Sequence, residues 1–549
     1  MGPEIVTAAR HYKNALDPAG QTINQNGVFI GMGDDLRGRQ LPADEILVGT
    51  VQTRSANSHI TDSAAASTAY SCASRTNNYW IAKQPASASI VPPWNESDGI
   101  VCKTILEKAK EQGYRTGVVV TSRFMHATSA GFISHTVDRH KENEIAYQAI
   151  EITQPDVIIG GGSRHLLPQN TTGSRRKDDW DGFASAAARG YKVIRTEAQY
   201  LDFLNRGTGT GNSWEPPEKC QKLLLVDALS HRPYEIDRKD SRLPSLSESM
   251  RLAIKVLQSC GQPYFMLMEA SRIDHALHEN DVTTAIRETL EYNKAIGDAI
   301  IPNIASDTLV VGSSDHSTGG LSLGLSTAGV YPSIPVVSYA WYPEVLNGQK
   351  ASVAEGMFHG LTEQSYLQAG GSITFEAFVD KVKQHVTLPE KVRFPPNKLM
   401  LTQFDPTVWL EKDFAPMKEQ LANFLAHECP AGSILGCEGS VVIEEASTSN
   451  ENSGASGFKV AIGRMLANKA YVALSTRGPT SVDVNLYCYA PPGMMSCYDL
   501  GFKGNMPNYM VGHRMAEALG LTGDLVLTKW DDGVGPVKQA DASGHRDIG

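Results

Sequence analysis

The strongest constraint on this chain's fold is an alternation of short apolar runs with longer amphipathic segments. Runs at Val118–Val120, Val157–Ile159, Leu223–Val226, Phe265–Met268 and Leu309–Val311 read as buried strands. Glu142–Ile152, Leu246–Leu257 and Thr283–Ile301 carry apolar residues at helical spacing. Apolar strands separated by helices predict an α/β fold, with a central, mostly parallel sheet flanked by helices on both faces. Such sheets bind ligands beyond the C-terminal ends of their strands. Residues at those ends are therefore the candidates for chemistry.

Three segments carry them. In Thr61-Asp62-Ser63-Ala64-Ala65-Ala66, a serine opens a run of small residues that packs closely. A serine at a helix start sits among free backbone N–H groups, where an anion or a phosphoester is stabilised. The same run also fits an Asp/Ser N-cap on a packing helix. In Met268-Glu269-Ala270-Ser271-Arg272-Ile273-Asp274-His275-Ala276-Leu277-His278, Glu269 ends a strand. Asp274 and His278 are four apart, so one helical face presents a carboxylate and an imidazole. In Ser314-Asp315-His316-Ser317-Thr318-Gly319-Gly320 another strand ends in Asp-His. Each is commonly a capped helix or a satisfied histidine when taken singly. Together they read as a two-metal site with a serine nucleophile, whose oxygen and nitrogen donors suit zinc.

These motifs resemble the alkaline phosphatase family, and its eukaryotic, fungal-type members in particular. Matching segments extend nearly end to end, through Thr121–Thr128, Asp156–Gly162, Arg232–Arg238 and Ser481–Tyr487. The resemblance implies a phosphomonoester hydrolase that passes through a phosphoserine on Ser63. It implies one zinc on Asp274 and His278, and a second on Asp315 and His316 that activates Ser63. It implies a magnesium site including Glu269 and Thr128, and a phosphate clamp by Arg139 oriented by Asp62. His126 and His275 match positions in the phosphate and water network around the magnesium. The resemblance further implies broad specificity for small phosphomonoesters, a homodimer, and a secreted, vacuolar or membrane-anchored location.

Two departures from the family pattern stand out. The family opens with a strand ending in an aspartate that bridges a zinc and the magnesium. Met1-Gly2-Pro3 resembles the residues just after it, so that strand and aspartate are expected to be missing, as in a truncated chain. Asp34 and Asp35 follow a Gly31-Met32-Gly33 that mimics the motif and reads as a surface loop. The family also has a zinc-binding histidine where this chain has Pro479, and a histidine is common where it has Arg477. Proline offers no donor. The expected ligand sets therefore fall short of the three protein ligands usual for catalytic zinc. Weakened metal affinity and a catalytically impaired phosphate- or metal-binding protein on the same fold follow as the alternative. A sulfatase would need a Cys/Ser-x-Pro-x-Arg context that Ser63 lacks.

Net charge of −10 argues against nucleic-acid binding. No apolar run is long enough to span a membrane. Asn95-Glu96-Ser97 and Asn170-Thr171-Thr172 fit the N-glycosylation pattern. Among the 8 cysteines, Cys429 and Cys437 bracket a Pro/Gly loop and are candidates to pair, while the others read equally as buried thiols. From about Phe375 the strand–helix alternation lapses, Pro389–Pro396 reads as a connector and Glu444–Gly457 as a polar loop. The expected organisation is a catalytic α/β part at 1–374, a crown-like insertion at 375–470 and a return to the catalytic sheet at 471–549.

Overall fold

The computed structural model describes all residues except 17–20, 24–28, 33–39, 87–92, 239–240, 327–338, 358–374, 391–407, 415–453, 522–529, 532–534 and 537–549. Asp34, Asp35, Cys429, Cys437 and much of 375–470 thus lie outside the described residues.

A five-stranded sheet carries the fold, in the spatial order Tyr264–Glu269, Arg115–Arg123, Val157–Gly161, Lys222–Val226, Tyr191–Ile194. Every neighbouring pair in it is parallel. Val118, Val119, Val120, Val157, Ile158, Ile159, Leu223, Leu224 and Leu225 are fully buried. Alternate side chains of these strands feed two hydrophobic clusters on opposite faces. One holds Val119, Ile159 and Leu225 with the helix Leu246–Gln258; the other holds Val118, Val120 and Leu224 with the helix Ala127–Ile133. Cover on both faces is what an unbroken apolar strand requires.

The run at Leu309–Val311 departs from expectation. The strand Val310–Gly312 belongs to a second, four-stranded sheet, pairing antiparallel with Val484–Tyr489, which then pairs with Leu47–Gln52. A cavity of about 1000 Å³ is lined by every residue of both Tyr264–Glu269 and Leu309–Gly312. Each of these strands is the end member of its sheet. Met1, Ser63 and Asp315 also line the cavity, as do Ile254, Ile300 and Ile304.

The cysteine expectation needs correction. Cys72–Cys102, Cys220–Cys260 and Cys488–Cys497 are disulfide-bonded, so these six are not free thiols. Distant spacing concealed the first two, because partners 30 and 40 residues apart meet only through the fold. The helix Gly454–Lys469 also begins inside the stretch read as a polar loop. Ile462, Met465 and Leu466 from it join Val382, Val386, Phe414, Val353 and Met357 in a small separate cluster.

Candidate active site

Ser63 begins the helix Ser63–Cys72, whose first turns are almost entirely small residues. Asp62 is its N-cap and accepts a hydrogen bond from the Ala65 backbone N–H at 2.9 Å. Small residues are needed because this helix packs on the helix Ala127–Ile133: a Cβ on Gly131 would lie 2.1 Å from Ser67 Oγ. The local reading as a capped packing helix and the functional reading therefore coexist. Ser63 is 7% exposed, with its Oγ 3.3 Å from His316 Nε2.

Arg139 reaches Asp62 from across the site, Nη1 donating to Oδ2 at 3.0 Å. The opposite wall comes from the strand ends. His316 Nε2 lies 3.2 Å from Asp315 Oδ2, and His278 Nε2 lies 3.2 Å from Asp274 Oδ2. Thr318 links the two pairs. Its hydroxyl donates to Asp274 Oδ1 at 2.6 Å and lies 3.0 Å from His316 Nδ1. His278 Nδ1 lies 2.5 Å from the Arg477 carbonyl. Nε2 of each histidine thus lies beside a carboxylate oxygen. An imidazole nitrogen and a carboxylate so placed suit a shared cation.

Electrostatics point the same way. Burial opposes ionisation of Asp274, but the neighbouring His278 holds its carboxyl well below the usual range. Asp315 is likewise held low against burial by His316. The reciprocal effect raises His278, where Asp274 outweighs desolvation. Glu269 behaves differently. Burial pushes its carboxyl up to about 7, against hydrogen bonds from Ser271 and Thr128. Its Oε2 is buried without a hydrogen-bond partner, an arrangement a bound cation would relieve. Even so, no three His, Cys, Asp or Glu side chains converge on one metal-sized position among the described residues. The donors suit cations in kind, but each group falls short of a complete catalytic zinc set.

His126 and His275 pack edge to face at 5.1 Å between ring centroids. Burial, reinforced by the Arg139 and Arg123 charges, drives His126 down to about 3, so it is neutral. Desolvation also depresses His275, which receives a hydrogen bond at Nδ1 from Arg272 at 3.0 Å. Sequence reasoning missed two neighbours. His231 completes a ring trio, 4.3 Å from His275, and is tied to Arg123. Thr318 bridges the acidic pairs; its place in Asp315-His316-Ser317-Thr318 was the available signal. Pro479 is the register partner of Thr318 in a short antiparallel ladder. The Met1 ammonium donates to Ser314 Oγ and to the His316 carbonyl.

This geometry has close relatives. The repressible alkaline phosphatase of Saccharomyces cerevisiae is 28% identical over 540 residues, covering 95% of this chain and 80% of that protein. An alkaline phosphatase of Schizosaccharomyces pombe is 34% identical over 340 residues, but the match spans only 58% of that relative. Among solved structures, the fold is shared with a cold-active alkaline phosphatase from Shewanella sp. at TM-score 0.62 and 24% identity, covering 94% of this chain and 97% of that one. The Thermus thermophilus alkaline phosphatase matches equally, at TM-score 0.62 and 24% identity over 95% of this chain and 90% of that one. The alkaline phosphatase family model matches residues 1–521. With that match spanning both sheets and every segment that lines the site, the chain belongs to the alkaline phosphatase family, a family of phosphomonoesterases.

Proposed function

We propose that this chain binds phosphomonoesters at Ser63 and Arg139, that Ser63 is the phosphoryl acceptor, and that its turnover is slow. The carrying observation is the convergence of Ser63, the Asp62–Arg139 pair and the Asp315–His316 pair from three separate segments. The Ser63 oxygen forms a bond to phosphorus as the ester P–O bond breaks, and the alcohol departs with a proton. Water then attacks the phosphoserine, releasing inorganic phosphate and restoring Ser63. Arg139, oriented by Asp62, offers its planar fork to the phosphoryl oxygens. The backbone N–H groups at the helix start add further donors.

Asp274 with His278 and Asp315 with His316 and Ser63 would each hold a zinc ion, and Glu269 with Thr128 a magnesium ion. When bound, such ions neutralise phosphoryl charge and lower the serine pKa. A variant of one structural neighbour, a TAB5 alkaline phosphatase, is described with magnesium bound. Pro479 beside Thr318 contributes no donor, which supports weakened affinity. The slot between Tyr264–Glu269 and Val310–Gly312 supports the expectation that a further strand belongs there, and with it a further carboxylate. We extend the proposal to a homodimer, a crown-like insertion at 375–470 and an oxidising compartment, the last supported by three disulfides. No described helix is long and apolar enough to cross a membrane.

The test is acid-quench labelling with a radioactive phosphomonoester in the presence of zinc and magnesium. An acid-stable phosphoserine at Ser63, absent from Ser63→Ala, is the expected result. Label at another residue, or turnover retained by Ser63→Ala, overturns it.

A further inference from the structure

Tyr79 adopts a backbone conformation its side chain disfavours. Its φ is +74°, in the left-handed region, where a bulky residue comes at a cost in backbone strain. Glycine would take this φ without that cost. A buried ring would offset it by packing, yet Tyr79 is 45% exposed. The explanation for an aromatic residue here therefore lies outside both the backbone and the core.

The backbone shows where the ring is held. The Tyr79 N–H donates to Asp62 Oδ2 at 2.9 Å, the same oxygen that receives Arg139 Nη1. The Tyr79 carbonyl accepts from the Arg139 N–H at 2.9 Å. Residue 79 is thus stitched on both sides to the pair that orients the phosphate clamp. Its neighbour Asn78 accepts from the Asp62 N–H at 3.1 Å, so the whole turn is tied to the entrance of the serine helix. Tyr79 does not stand alone. Its ring lies 6.0 Å from that of His140, the residue after Arg139, and 6.3 Å from Trp94. Trp94 in turn packs edge to face on buried Trp80 at 5.8 Å. The result is an exposed aromatic shelf, rigidly backed and anchored to the site's rim.

We infer that Tyr79, backed by Trp94 and His140, is a specificity residue that stacks against an aromatic leaving group, favouring aryl and nucleoside phosphomonoesters over alkyl ones. The inference rests on the phosphoryl site proposed above. Rings prefer offset or edge contacts with other rings, and base-on-aromatic stacking typically shifts affinity by roughly 5- to 150-fold. The phosphoryl grip itself uses Ser63 and Arg139 and does not involve the Tyr79 side chain.

Non-hydrolysable ligands separate the two claims. Affinities of inorganic phosphate, methylphosphonate and phenylphosphonate would be measured by calorimetry for the wild-type chain, Tyr79→Phe, Tyr79→Leu and Tyr79→Gly. The wild type and Tyr79→Phe should bind phenylphosphonate about tenfold tighter than methylphosphonate. In Tyr79→Gly, which suits the backbone, and in Tyr79→Leu, which keeps bulk without a ring, that ratio should fall toward one. Inorganic phosphate affinity should stay unchanged in all four. An unchanged ratio in Tyr79→Gly, with phosphate still bound, overturns the shelf alone. Failure of all three ligands to bind the wild type overturns the phosphoryl site and the shelf with it.

Discussion

Thr318 donates a 2.6 Å hydrogen bond to Asp274 and sits in register opposite Pro479. Position 479 is therefore across a single ladder rung from the group that steadies the Asp274–His278 pair. Replacing Pro479→His should place a third donor beside that pair and raise zinc occupancy. Proline's fixed φ is accessible to histidine, so the exchange adds no backbone restriction. Zinc stoichiometry of the dialysed protein should rise toward one additional ion per chain. Phosphatase rate should improve far less, because the other cation positions still lack donors.

The slot makes a second prediction. A chain extended at Met1 by a short apolar strand ending in aspartate should fill the gap between Tyr264–Glu269 and Val310–Gly312. Pairing both open edges should raise the melting temperature, by about 1 °C for each kcal/mol gained in a chain of this length. Combined with Pro479→His, the rate should rise far more than the product of the separate effects, because groups of one site act as a unit. A full-rate enzyme from Pro479→His alone would show that the other cation positions already hold enough donors.

Arg139 and Ser63 should separate binding from chemistry. Arg139→Ala removes a charge-assisted clamp, whose loss typically costs about 1.5–3 kcal/mol, so phosphate affinity should fall roughly 10- to 100-fold. Ser63→Ala should keep most phosphate affinity and lose the covalent label. Equilibrium phosphate binding, measured beside acid-quench labelling, checks both. Equal loss of binding in the two variants would contradict the division of roles.

Away from the site, His135 Nε2 lies 2.9 Å from Glu107 Oε1. Burial lowers the His135 pKa, but the Glu107 partner outweighs it and the net shift is upward. Burial raises Glu107, and His135 brings it net downward. A raised histidine stabilises fully below its unfolded pKa of 6.5, and that contribution is lost as pH climbs through the folded value. A lowered carboxyl stabilises above its unfolded pKa of 4.5, and is lost as pH falls through the folded value. The pair should therefore help most between these two limits. The melting-temperature deficit of Glu107→Gln should be largest near pH 5–6 and shrink by about pH 9. A deficit that is flat with pH would show that the pair is not ionic.

Periodicity in the sequence determined the parallel strands and their flanking helices, because alternation and helical spacing are local properties written within a few residues. The candidate groups were legible for the same reason: Asp62 and Ser63 open a helix, and Asp274 and His278 share a helical face. Which strand pairs with which is not local. Leu309–Val311 looks like any other buried strand, yet only the tertiary structure assigns it to the second sheet and leaves an open slot beside Tyr264–Glu269. The disulfides, the Thr318 bridge between the acidic pairs and the left-handed turn at Tyr79 were likewise decided by folding. Except for Cys488–Cys497, each depends on bringing together segments tens to hundreds of residues apart, and no local pattern encodes such a distance.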